Sequence, residues 1–180
     1  MTVETGYEAK PCLAVLHPPL AVRPVPQRSQ YDCGVAAMAM LFDLSYEEAE
    51  GSLPFRCGEE HPNGTGIVGG ISPVDILWVG LRRDVPVALI APQETFVESW
   101  GDIGRCITAP PNDALWTWLE GRRAAFSVRS MTNPSGLHCV VWDGRYLIDP
   151  LYKRHRARHY QVMDRPTILD AVVRLDSVVS

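Results

Sequence analysis

No stretch of this sequence stays apolar for the ~20 residues that a membrane-spanning helix needs, so an α-helical membrane anchor is not expected. Positive charge is not in surplus either. Seventeen Lys and Arg stand against 21 Asp and Glu, a formal net charge of −4. A chain of that sign is not built to neutralise phosphates, and nucleic acid is not an expected partner. The opening residues, Met1 to Glu8, lack the basic-then-apolar layout of a secretory signal, which makes the cytoplasm the expected location. Cysteine is sparse and uneven. Cys12, Cys33, Cys57, Cys106 and Cys139 are an odd five at irregular spacing, which argues against a disulfide framework. Reduced thiols are expected, and one of them is free to be a nucleophile. Cys57 and His61 share a four-residue spacing, but a closed zinc site takes three or four ligands and no second paired motif is present. Neither a metal nor a cofactor is expected.

What is present is ordinary globular material. The chain has 180 residues, 46% of them hydrophobic, enough for one domain with a real core. Residues 1–26 read as an extended proline-rich arm, with Pro11, Pro18, Pro19, Pro24 and Pro26 denying a regular helix. Residues 27–180 read as a single domain. From Cys33 to Phe42 a run of small and apolar residues predicts a buried helix, followed by an amphipathic segment at 45–50. Residues 54–71, rich in Gly and Pro, read as a long irregular loop. Ser72-Pro73 is an N-cap followed by proline at the first helical position, opening a helix over 74–83. Val85–Ile90 has strand character, a helix-then-strand pair follows at 112–128, and Asp164-Arg165-Pro166 opens a last helix to about Arg174. Helices come early and strands late, so the fold class is α+β.

Two places carry chemistry. Cys33 opens the buried helix, where unpaired N–H groups and the helix dipole favour an anion and therefore a thiolate. Gly34 beside it offers a substrate open backbone to approach. A buried structural cysteine would fit the same position. Further on, His138–Trp142, Asp143-Gly144 and Arg145–Asp149 read as a β-hairpin with a two-residue turn. That register sets Trp142 opposite Arg145, Val140 opposite Leu147 and His138 opposite Asp149. Opposed residues on an antiparallel pair have Cβ atoms ~4.5–5.5 Å apart. An imidazole and a carboxylate thus become neighbours, the carboxylate able to orient the ring and stabilise its charged form.

The segment Gln27-Arg28-Ser29-Gln30-Tyr31-Asp32-Cys33-Gly34-Val35-Ala36-Ala37-Met38-Ala39-Met40-Leu41, with His138-Cys139-Val140-Val141 and Asp149-Pro150 later, resembles the active-site segments of a known family. These are the bacteriocin-processing peptidases that cut after double-glycine leaders, together with their stand-alone relatives, within the papain-like superfamily. The resemblance covers about forty residues. It implies a papain-like fold, with a helix carrying the nucleophile packed on a C-terminal antiparallel sheet. It implies Cys33 as nucleophile, His138 as general base and acid, and Asp149 as orienter. The oxyanion hole would be the Gln27 side chain with the Cys33 backbone N–H. The His-to-Asp connection is shorter than is usual in that family, and its double-glycine preference is not carried over.

The function expected is cysteine-peptidase-like hydrolysis of a peptide or isopeptide bond in a peptide or protein substrate, through an acyl-enzyme on Cys33. Two alternatives are an acyltransferase using the same residues and a binding or inhibitory protein on a peptidase-like scaffold. The basic run Lys153 to His159 reads as a solvated face or as a dock for an acidic group. Trp78, Trp100, Trp116, Trp118 and Trp142 divide between core and groove in a way spacing does not decide.

Overall fold

The computed structural model describes residues 22–92, 112–130, 136–150, 158–160 and 166–178. Of the expected arm, 22–26 fall within these residues, and Val22 and Val25 pack into the core without joining a helix or strand.

The chain is α+β. Helix α1 (Cys33–Leu41) is the small-residue run and is buried from Gly34 to Leu41. Helix α2 (Tyr46–Gly51) follows, then α3 (Pro73–Arg82) and strand β1 (Val87–Ile90). Helix α4 (Asn112–Leu119) leads into β2 (Arg122–Arg129), β3 (Leu137–Trp142), β4 (Leu147–Asp149), β5 (Arg158–Tyr160) and β6 (Asp170–Val178). The six strands form one sheet in the order β1-β6-β2-β3-β4-β5, antiparallel at every pairing. The expected last helix is therefore corrected: 170–178 is the strand β6, inserted between β1 and β2. Its alternation was hidden because both of its faces are covered. Ala171 and Val173 point to one core cluster and Val172 to the other, and a strand buried on both sides shows no polar half.

Those two clusters are the two faces of the sheet. On one, α1 packs over β2, β3 and β4 through Val35, Met38 and Leu41 against Ala125, Val141 and Ile148, while α3 covers Val172 with Ile76 and Val79. On the other, α4 brings Leu115, Trp116 and Leu119 onto Phe126, Val140, Trp142 and Leu147. Trp116 meets both Phe126 and Trp142 edge to face, at 5.2 and 5.4 Å between ring centroids. That arrangement places two of the five tryptophans in the core, whereas Trp78 and Trp118 are exposed and Trp100 lies outside the described residues.

The far end of α1 is held by charge. Asp43, just past the helix, accepts from Arg123 Nη1 at 2.7 Å and from Arg174 Nη1 at 2.9 Å. Arg174, on β6, also donates to the Leu41 carbonyl at 3.2 Å. An arginine on an otherwise unpaired helix C-terminal carbonyl complements the helix dipole. The stretch 54–71 is more ordered than a loop of that composition suggests. Gly58 N–H donates to Val68 O, Val68 N–H to Glu59 O and His61 N–H to Gly66 O, closing a small hairpin with a bridge between Glu60 and Ile67. No helix among the described residues is long and apolar enough to cross a membrane.

Candidate active site

Cys33 is the first residue of α1 and is partly exposed. Asp32 occupies the N-cap position, but its side chain makes no cap hydrogen bond to the helix. Its carboxylate turns back instead and accepts the backbone N–H of Arg28 at 3.1 Å and of Ser29 at 3.0 Å. The Tyr46 hydroxyl of α2 donates to the same carboxylate. Asp32 is thereby buried, and among the described residues the first-turn N–H groups of α1 have no side-chain acceptor. Gly34 has a different role from the one expected. A Cβ built there would stand 2.5 Å from Ile71 Cγ1, so the glycine admits Ile71 rather than a substrate.

The hairpin brings His138 and Asp149 together by a register other than the expected one. Trp142 pairs with Leu147 and Val141 with Ile148, and Asp143 N–H donates to Tyr146 O at 3.1 Å. The corner residues are Gly144 and Arg145, with Gly144 at φ 102, and Asp143 precedes the corner. Its carboxylate accepts the N–H of Arg145 at 2.9 Å and of Tyr146 at 2.7 Å, the Asx-turn habit of aspartate. Continuing that register sets Asp149 opposite Val140, with His138 one diagonal step away. A shift of two residues keeps every side chain on its own face, and diagonal neighbours remain within reach of long side chains. His138 Nε2 lies 2.9 Å from Asp149 Oδ1.

Cys33 lies close enough to the His138 ring to act on its pKa. With Nε2 engaged by Asp149, Nδ1 is the nitrogen left for the thiol. Burial disfavours the charged ring, but the hydrogen bond to Asp149 and the interactions with Cys33 and Asp149 outweigh it. The His138 pKa is pushed up to about 10, so the ring holds its proton across the neutral range. The other described thiols differ. Burial, reinforced by the charges of Asp32 and Cys33, pushes Cys57 up to about 12. Cys139 is raised too, first by burial and then by the charges of Cys33 and Asp170.

Gln27 is buried, and its backbone N–H donates to Pro150 O at 3.1 Å, which ties it to the residue after Asp149. Its Nε2 donates to Ser29 O at 2.7 Å. A flipped amide would set two oxygens against each other, so that carbonyl fixes which way the amide points. Oε1 has no hydrogen-bond partner among the described residues, and the amide's second hydrogen is uncommitted. All four residues singled out by sequence thus fall in one connected neighbourhood.

Asp32 as an organiser of the 28–31 turn, Tyr46 as its partner and Ile71 over Gly34 were not legible as parts of it. The spacing of Asp32 from Arg28 and Ser29 is the one signal that could have been used. His61 stacks at 5.7 Å from Phe55 and accepts from Asn63 N–H. No group of three or more His, Cys, Asp or Glu among the described residues is arranged to hold a metal ion. Of the basic run, Arg158 and His159 lie in β5 paired with Asp149 and Ile148, and 153–157 lie outside the described residues. Comparison with known protein families, curated proteins and solved structures finds no match for this chain.

Proposed function

We propose that this chain is a papain-like thiol hydrolase that cleaves a peptide or isopeptide bond through an acyl-enzyme on Cys33. The observation that carries this reading is the position of His138, bonded to Asp149 at 2.9 Å and near enough to Cys33, at the start of a buried helix, to interact with it. In the resting arrangement the ring carries the proton and the sulfur faces a positive partner. Cys33 attacks the substrate carbonyl. The oxyanion that forms is received by the Cys33 N–H and the free amide hydrogen of Gln27. His138 then gives its proton to the leaving amine, and afterwards takes one from the water that releases the acyl group. Asp149 keeps the ring in the orientation both transfers need.

A proteome-wide comparison of cleavage by the wild type and by Cys33→Ala tests the reading. New protein N-termini should accumulate with the wild type and not with the variant. Equal cleavage patterns from both would overturn it. An acyl-enzyme that turns over only when an amine is supplied would redirect it to acyl transfer, which the same residues could perform.

A further inference from the structure

We propose that Asp32, locked by Tyr46, is a positioning residue whose carboxylate holds the Gln27 amide where the oxyanion forms and keeps the start of α1 open for that oxyanion. The inference rests on the thiol acyl-transfer reading above and adds to it two residues that do not touch the substrate.

A carboxylate buried immediately before a nucleophilic thiolate is a poor choice on two counts. Burial of a charge is costly unless hydrogen bonds replace water, and a like charge beside the sulfur opposes the thiolate. The geometry shows what is gained. Both oxygens of Asp32 are occupied by the turn that precedes it: Oδ2 takes Arg28 N–H at 3.1 Å, and Ser29 N–H lies 3.0 Å from Oδ1 and 3.1 Å from Oδ2. The turn closes further as Tyr31 N–H donates to Ser29 Oγ at 3.1 Å. This winding aims the Ser29 carbonyl at Gln27 Nε2, 2.7 Å away. The Gln27 amide is therefore oriented by Ser29, and Ser29 is placed by Asp32.

Tyr46 completes the device from α2. Its hydroxyl donates to Asp32, and burial followed by the contact with Asp32 raises its pKa, so it remains a donor. Outside, the Arg28 guanidinium lies 4.0 Å over the Tyr46 ring and pairs with Glu47 at 2.6 Å. The carboxylate that could have capped α1 is thus committed elsewhere. One rotation of Asp32 accounts for both the placed amide and the uncapped helix start.

The test separates attack on a carbonyl from attack on carbon that forms no oxyanion. Acylation by p-nitrophenyl acetate is measured beside alkylation by iodoacetamide, in wild type, Cys33→Ala, Gln27→Ala, Asp32→Asn, Tyr46→Phe and the Gln27→Ala/Asp32→Asn double variant. Gln27→Ala should slow acylation by ~10²–10³-fold. Asp32→Asn should slow it by about tenfold to a hundredfold, the cost of an ångström-scale misplacement, and Tyr46→Phe by less. In each variant that keeps Cys33, alkylation should change far less than acylation. The double variant should lose less than the product of the two single losses, because part of what Asp32 does passes through Gln27. If Asp32→Asn and Tyr46→Phe slow both reactions alike, or the double variant shows the product of the two losses, Asp32 merely supports the fold and the proposal is overturned. Should Asp32→Asn fail to fold, Tyr46→Phe decides by the same split. A wild type that forms no Cys33-dependent acyl-enzyme overturns the hydrolase reading itself, and this inference with it.

Discussion

Helices α2 and α3 begin in one way and α1 in another. Ser45 with Glu48, and Ser72 with Asp75, form complete capping boxes in which each side chain satisfies the other's backbone N–H. At α1 the residue in the cap position, Asp32, faces away from the helix, and there is no acidic residue in the first turn. Two starts are closed by the chain's own groups and serve stability. The third leaves its N–H groups and the positive end of the helix dipole unspent, next to a thiol. Unsatisfied polar groups are tolerated where a reacting anion is to supply what is missing.

The contrast can be pressed hardest by thiol chemistry. With Cys57 raised to about 12, only about one in 10⁵ of its molecules is thiolate at pH 7. Timed iodoacetamide labelling read by mass spectrometry should therefore modify Cys33 well before Cys57 or Cys139. Cys57 leading at neutral pH would remove the distinction. Next in size is the cost of losing proton transfer. His138→Ala should reduce turnover by ~10²–10⁴-fold, and Asp149→Asn by less, because an amide oxygen can still accept from the ring. A steady-state comparison in which Asp149→Asn is the worse of the two would reverse these roles.

A smaller effect is the pH dependence of stability. His138 rises from an ordinary 6.5 to about 10 in the folded chain. The folded state thus binds a proton that the unfolded state releases between those values. Its contribution is fully present below pH 6.5 and is lost as pH rises through 10. Urea unfolding of wild type and His138→Gln should show a gap at pH 6 that narrows by pH 10; a constant gap would deny the charged ring. The smallest effect sharpens the other side of the contrast. Ser72→Ala should cost about 1 kcal/mol of stability in the same unfolding measurement, with Cys33 labelling unchanged.

How much of this was legible in sequence depended on whether a residue's role was local. Ser72-Pro73 announced α3, and the small-residue run announced α1, because caps and helical runs are local signals. His138 and Asp149 were brought to one face by counting along a hairpin, and the contact at 2.9 Å exists. Their direct opposition fails because it requires Asp143-Gly144 at the corner, where the structure has Gly144-Arg145. Aspartate holds the corner from outside, by accepting from Arg145 and Tyr146, so the turn sits one residue later. The count survived because the resulting slip was even. β6 was missed because a doubly covered strand and a buried helix share one apolar pattern. The bond from Tyr46 to Asp32 joins residues fourteen apart, and no spacing rule announces such a contact.

The place of β6 in the sheet bears on synthesis as well as on architecture. It is the last of the six strands in the chain, yet it fills the gap between β1 and β2, and its Arg174 grips the far end of the helix that carries Cys33. A nascent polypeptide with everything up to Pro150 already off the ribosome would still hold β1 without a neighbour and α1 without that grip. Pairings over such separations form late and slowly. The thiol is thus made early, whereas the described strand that grips the far end of its helix is made last.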